Sequence, residues 1–300
     1  MDLWIIITLM AATAQTARFM LQKHLKTTRL STAGATFSRF IYSAPLVAII
    51  AAIYAQVTEQ GAPGIPAGFW AYALTGGIAQ ILATMCVVAL FAHRNFAVGI
   101  TFKKTEVLLA AFVGFVVLGE GVTFLALVAI LIGLAGVLLL SDPPKAEGRW
   151  FRRVFNPAAG LGLLSGALSA VSAVGYRGAS LSLMHGDVFY RAIMTLAVVT
   201  AFQTAIMAVW LVWREAGEIG RVLRSWRVAG LVGITSMLGS IGWFVAFTMQ
   251  TVALVKAVGQ AEILLSLAAS VYFFSEKISK REWQGLGLLA CSIVMLVLVT

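Results

Sequence analysis

Charge is scarce in this 300-residue chain. Asp, Glu, Lys and Arg make up 11% of it, while 60% is apolar and the mean hydropathy is +0.94. A soluble domain carries about a quarter charged residues, so a water-facing surface is excluded, and so is intrinsic disorder. Cysteine is nearly absent. Cys86 and Cys291 lie inside apolar runs with no CxxC partner, which excludes a disulfide scaffold and a cysteine-based zinc site. The three histidines, His24, His93 and His185, form no HExxH cluster, and no metal or other cofactor is expected. No GxxxxGK[ST] loop is present, so this chain does not drive itself with ATP. The net charge of +10 sits in short gaps between apolar runs and not on a face or tail, which argues against nucleic acid as a partner. Period-2 alternation is missing too, excluding a membrane β-barrel.

What is present is a series of long apolar runs. A helix crosses the hydrocarbon with about 20 apolar residues. Ten such segments are expected, at roughly 3–22, 33–56, 68–92, 97–117, 122–140, 157–183, 187–213, 226–248, 252–274 and 283–299. Turn chemistry punctuates them at Gly61-Ala62-Pro63-Gly64, Ser141-Asp142-Pro143-Pro144 and Asn156-Pro157. Pro45 lies inside the second run and marks an expected kink. The first run lacks a basic leader region and reads as a retained helix.

The gaps after odd-numbered segments hold Lys23, Lys26 and Arg29; Arg94; Lys145, Arg149, Arg152 and Arg153; Arg214, Arg221, Arg224 and Arg227; and Lys277, Lys280 and Arg281. The even gaps and both termini hold no Lys or Arg. The positive-inside rule therefore predicts cytoplasmic odd loops and external termini.

A shift of 156 positions aligns the halves. Trp70 meets Trp226, Gly77 meets Gly233, Glu106 meets Glu262 and Glu120 meets Glu276. Phe37-x-Arg39-x-Ile41 resembles Phe189-x-Arg191-x-Ile193 at a shift of 152. Five spans per copy is an odd number, so the second copy must be inverted. The expected organisation is an all-α integral membrane protein of ten transmembrane helices. A first five-helix repeat spans 1–141, a cytoplasmic linker 142–156, and a second repeat 157–300.

This pattern resembles the drug/metabolite transporter superfamily, in its ten-helix, EamA-type branch. The likeness rests on Arg39-Phe40 in the second segment, Arg191 in the seventh, Leu118-Gly119-Glu120 closing the fourth, Phe274-Ser275-Glu276 closing the ninth, and the Gly- and Leu-rich fifth and tenth. It implies a pseudosymmetric bundle around a central cavity that moves small metabolites. Members of that family commonly keep their termini in the cytoplasm; the charge count here predicts the reverse.

Ionisable groups inside a bilayer cost several kcal/mol, roughly 2.5–3.5 on insertion scales, and mark function. Glu106 and Glu262 fall near the middle of the fourth and ninth segments. Lys103 and Glu106 share a face at i, i+3, as do Lys256 and Gln260 at i, i+4. Lys103, Lys104, Glu106, Lys256, Gln260 and Glu262 are thus the expected cavity lining: lysines for a carboxylate or phosphate, a glutamate for an ammonium or a coupling proton. The competing reading is an internal ion pair that only locks helices. Arg39 and Arg191 join the expected site by their internal match, while Arg18 and Arg177 divide between snorkelling, structural pairing and site lining. Asp187 offers Arg191 an i, i+4 partner. Tyr42, Trp243 and Tyr176 are candidate aromatic walls. Gly76, Gly77, Gly230, Gly233, Gly239 and Gly242 favour close helix approach.

The expected function is secondary-active export or exchange of a small anionic or zwitterionic metabolite, such as an amino acid or organic phosphate. Its place is the cell's inner membrane, among lipid, as monomer or homodimer. The alternatives are proton-coupled efflux of drug-like amphiphiles and an intramembrane enzyme acting on lipid. No GxSxG elbow or surface His/Asp/Glu cluster favours the enzyme.

Overall fold

The computed structural model describes residues 2–61, 63–91, 102–141, 157–261 and 280–299. Among them the chain is all-helical. The helices are α1 (Leu3–Thr28), α2 (Thr32–Val57), α3 (Ala67–Leu90), α4 (Glu106–Leu118), α5 (Phe124–Ser141), α6 (Pro157–Ser182), α7 (Val188–Arg214), α8 (Glu218–Arg224), α9 (Trp226–Met249), α10 (Val252–Gly259) and α11 (Lys280–Val299). Helices α1, α2, α3, α6, α7 and α9 are each long and apolar enough to cross a membrane. Every expected segment overlaps one helix.

Two expectations change. The gap at 214–225 contains the short helix α8. Its Glu218, Val222 and Ser225 are buried at i, i+4 and i+7, so docking onto the bundle supplies the stability a seven-residue helix lacks alone. The fourth segment is not continuous: α4 begins only at Glu106, after a turn at residues 104–105.

Lipid is as apolar as leucine, so membrane helices associate by close packing of small residues. The contacts follow that rule. Helix α3 lies on α6, where a Cβ on Gly175 would stand 2.8 Å from the Tyr72 carbonyl oxygen and 3.0 Å from the Gly76 Cα. Helix α1 lies on α9, with Gly239 and Gly242 against Ala11. Helix α5 lies on α11, with Gly136 against the Gly285 carbonyl, and Ser292 Oγ donates to the Ala129 carbonyl at 2.6 Å. Helix α2 lies between α7 and α9, and Gly233 accommodates Tyr42. Gly77 meets Phe202, whereas Gly230 meets nothing within 4 Å.

The turns gather at two ends. At one, Asp187 caps α7 by accepting from Tyr190 N at 2.8 Å, and it also accepts from Tyr54 Oη at 2.9 Å and Gln60 Nε2 at 3.3 Å. The i, i+4 reading of Asp187 with Arg191 is thereby corrected. Among the described residues the carboxylate serves the helix N-terminus and the α2 end, and no Asp187–Arg191 ion pair forms. At the same end Arg177 Nε bonds Glu120 at 2.6 Å, while Nη1 donates to the Phe247 and Gln250 carbonyls at 2.5 and 2.7 Å. One guanidinium thus joins α6, the turn after α4 and the end of α9. At the opposite end buried Glu218 accepts from Ser31 N at 2.6 Å and pairs with Arg221, tying α8 to the start of α2.

Candidate substrate site at the helix breaks

The site is built where α-helical hydrogen bonding gives way to tighter turns, just before α4 and just after α10. Before α4, Thr105 N bonds the Phe102 carbonyl at 3.2 Å, an i→i+3 bond. After α10, Gln260 N bonds Ala257 O at 3.1 Å and Ala261 N bonds Val258 O at 2.9 Å, again i→i+3. Such tightened turns free backbone carbonyls, and within a membrane that is tolerated only where protein or water satisfies them. Here the Lys104 carbonyl receives Gln260 Nε2 at 3.4 Å. The residues in contact are 156 positions apart, the repeat distance read from the sequence. The backbone of Lys103 reaches this position because Gly166 of α6 has no side chain: a Cβ there would stand 3.0 Å from the Lys103 carbonyl oxygen.

Around the breaks sits a charge cluster. Glu106, the first residue of α4, is 6% exposed. Its Oε2 lies 2.9 Å from Lys103 Nζ and 3.6 Å from Lys256 Nζ. A carboxylate at a helix N-terminus also gains from the helix dipole. Lys256 lies over Trp243 at 5.1 Å and Phe247 at 5.9 Å from the ring centroids, and those two rings stack at 5.7 Å. This cation–π cradle positions an ammonium in an apolar surround.

Beside the cluster is a polar cavity of about 20 Å³, lined by Gln15 and Arg18 of α1, Gln80 and Thr84 of α3, Lys103, Ser169 of α6 and Lys256 of α10. A water needs about 10–15 Å³, so this conformation holds guests of water size. Thr84 leads onward into a buried hydrogen-bond chain. Arg39 Nη1 and Gln80 Nε2 both donate to Thr84 Oγ1 at 3.0 Å, and Arg39 Nη2 reaches Ser240 Oγ at 3.4 Å. Ser172 Oγ donates to Gln80 Oε1 at 3.1 Å. Gln203 Nε2 donates to Tyr176 Oη at 3.1 Å and to the Gly77 carbonyl at 3.0 Å.

The structure thus brings Lys103, Glu106, Lys256 and Trp243 together and sets Lys104 and Gln260 beside them. Lys103 and Glu106 pair across a turn, not along one helix face. Arg39 reaches the cavity through Thr84. Glu262 lies outside the described residues. Tyr42 faces Gly233 and donates to the Val222 carbonyl at 3.4 Å, toward the α8 end and apart from the cavity. Arg191 begins α7 near Asp187, at the other end. Arg177 is a structural clamp, and Tyr176 stacks on Phe244 at 4.3 Å. Arg18, 4% exposed, does not snorkel.

Sequence reading missed Gln15, Gln80, Thr84, Ser169, Ser172 and Gln203. A signal was available: Ser165, Ser169, Ser172 and Tyr176 form a helical stripe through an apolar segment, as do Gln80 and Thr84 at i, i+4.

A solved crystal structure, described only as that of a protein, is similar to this chain with a TM-score of 0.72. It shares 15% identity over 99% of this chain and 96% of the other, a likeness of fold alone. No curated protein matches. Residues 2–142 match the EamA-like transporter family, so the first part of this chain is similar to that family of the drug/metabolite transporter superfamily.

Proposed function

We propose that this protein is a secondary transporter that carries a small anionic or zwitterionic metabolite by alternating access. The observation that carries the reading is the meeting of two tightened turns, at residues 104–105 before α4 and 260–261 after α10, with the Lys103–Glu106–Lys256 cluster and a polar cavity beside them. Discontinuous helices at the interface of two repeats are where transporters of this architecture bind substrate. The helix pairing supports two inverted copies, 1–141 and 157–300. Exchanging the halves turns the α3–α6 contact into the α9–α1 contact and maps the α2–α7 and α5–α11 contacts onto themselves. In this reading Glu106 keeps Lys103, its nearer partner, while the anionic group of the substrate takes Lys256. The basic end faces the cytoplasm, both termini face outward, and the membrane is the cell's inner membrane. Arg177–Glu120 and Glu218–Ser31 close opposite ends of the path.

Counterflow in proteoliposomes tests this. Vesicles preloaded with an amino acid or organic phosphate should accumulate the labelled solute, and Lys256→Met should slow this at least about tenfold, as expected for loss of one partner in a buried charged contact. Normal counterflow by both Lys256→Met and Glu106→Gln, with folding intact, would refute the assignment. Uptake driven by a pH gradient without counter-substrate would instead give Glu106 the role of proton carrier.

A further inference from the structure

The elbow formed by α7, α8 and α9 carries a second arrangement, apart from the substrate site. Helix α8 is two-faced. Glu218, Val222 and Ser225 point into the bundle, while Arg221, Leu223 and Arg224 are exposed. Arg214 and Arg227 flank it, also exposed. On either side the long helices present bare apolar surface: Val209 and Val212 on α7, and Leu231, Ile234 and Leu238 on α9. A tryptophan stands at each boundary between the apolar staves and the arginines. Trp213 is 77% exposed and Trp226 61%. The Arg214 guanidinium lies 5.0 Å from the Trp213 ring centroid, and that of Arg227 lies 5.8 Å from the Trp226 centroid.

We propose that this elbow binds the phosphate headgroup of an anionic membrane lipid, with Arg221, Arg224 and Arg227 on the phosphate and Trp213 and Trp226 at headgroup depth. The charge and the layering select this occupant. Indole rings settle at the membrane–water boundary because one edge is polar and the body is not. Clustered arginines next to that boundary attract anionic headgroups, and the planar guanidinium matches phosphate oxygens in pairs. A soluble protein partner would not need the apolar staves on both sides. The site also reaches the transport path. Arg221 pairs with Glu218, whose other oxygen holds Ser31 N at the start of α2. A lipid phosphate that draws on Arg221 weakens its hold on Glu218 and eases the tie between α8 and α2.

The test uses the full-length protein reconstituted in phosphatidylcholine bilayers, with brominated lipid as a tryptophan quencher. Brominated phosphatidylglycerol should quench more than brominated phosphatidylcholine. The excess should vanish in Trp213→Phe/Trp226→Phe and weaken in Arg→Gln variants at positions 221, 224 and 227, with affinity falling roughly fivefold per arginine removed. Because Arg221 also holds Glu218, the pair Arg224→Gln/Arg227→Gln provides a variant that leaves that tie intact. High salt should erase the excess in the wild type. Equal quenching by the two lipids, or an undiminished excess in Arg224→Gln/Arg227→Gln, would overturn the proposal. So would removal of the excess by glycerol phosphate alone, which would make the site one for a soluble phosphate.

Discussion

The carboxylate of Glu106 serves two lysines at unequal distances, and that inequality sets an order of costs. At an effective dielectric constant of about 20 the gross attraction is ~6 kcal/mol to Lys103 at 2.9 Å and ~5 kcal/mol to Lys256 at 3.6 Å. Desolvation offsets most of both, so the informative quantity is what each deletion strands. Glu106→Gln removes the anion shared by two buried ammonium groups and should cost about 3–5 kcal/mol, the usual penalty for breaking a buried pair from one side. Lys103→Met leaves Glu106 with its longer contact and should cost about 2–3 kcal/mol. Lys256→Met leaves the 2.9 Å pair whole, and methionine refills the space over Trp243 and Phe247. The lost cation–π contact keeps the cost at about 1–2 kcal/mol. Reversible unfolding in mixed detergent, read by tryptophan fluorescence, measures all three, and the double variants Lys103→Met/Glu106→Gln and Lys256→Met/Glu106→Gln give the coupling energies. Glu106 should couple more strongly to Lys103 than to Lys256. If Lys256→Met proves as costly as Glu106→Gln, or if Lys103 couples more weakly than Lys256, the division into a holding lysine and a substrate lysine is wrong.

Further predictions follow from individual contacts. Gly175→Ala places a Cβ against backbone atoms of α3, so it should destabilise the protein by about 1–3 kcal/mol, seen as a lower melting temperature, whereas Gly230→Ala in open space should change it little. Glu218→Gln weakens a buried charged hydrogen bond at the start of α2. It should cost about 1–3 kcal/mol and raise amide exchange at residues 31–34, and unchanged exchange would show that the tie carries no load. Arg177→Gln releases Glu120 and two carbonyls at one end. A cysteine placed at position 122, in the same turn, should then label faster with a membrane-impermeant maleimide than it does with the Arg177–Glu120 pair in place; equal rates would count against a closing role.

Most of the helix placement was readable from composition, because a bilayer admits only long apolar segments with satisfied backbones. Terminal turns were harder to place. Helix α1 runs to Thr28, past the expected end at 22, because Lys23 and His24 keep a helical backbone once outside the apolar stretch. The short helix α8 was not legible, since seven residues depend on tertiary docking through Glu218 and Val222. Lys103, Glu106 and Lys256 were readable as candidates because charge inside an apolar run is costly enough to stand out, and the structure brings the three into one cluster. Gln80, Thr84 and Ser172 were not singled out, because an uncharged polar residue inside a membrane helix costs little and has several common uses.

By itself the sequence determined that this chain is a helical membrane protein whose charges fall mostly in the gaps between apolar runs and, at Lys103, Glu106 and Lys256, inside them. Those properties follow from the free energy of moving each side chain between water and hydrocarbon, a sum over residues that ignores their neighbours. Tertiary structure alone decided that Lys256, from the second half, shares the carboxylate of Glu106, from the first, and that the chain breaks its helix at 104–105 to let this happen. A contact between positions 150 residues apart depends on which helices pack, and that is fixed by the shapes of facing surfaces, where Gly166, Gly175 and Gly242 permit an approach that hydropathy does not register.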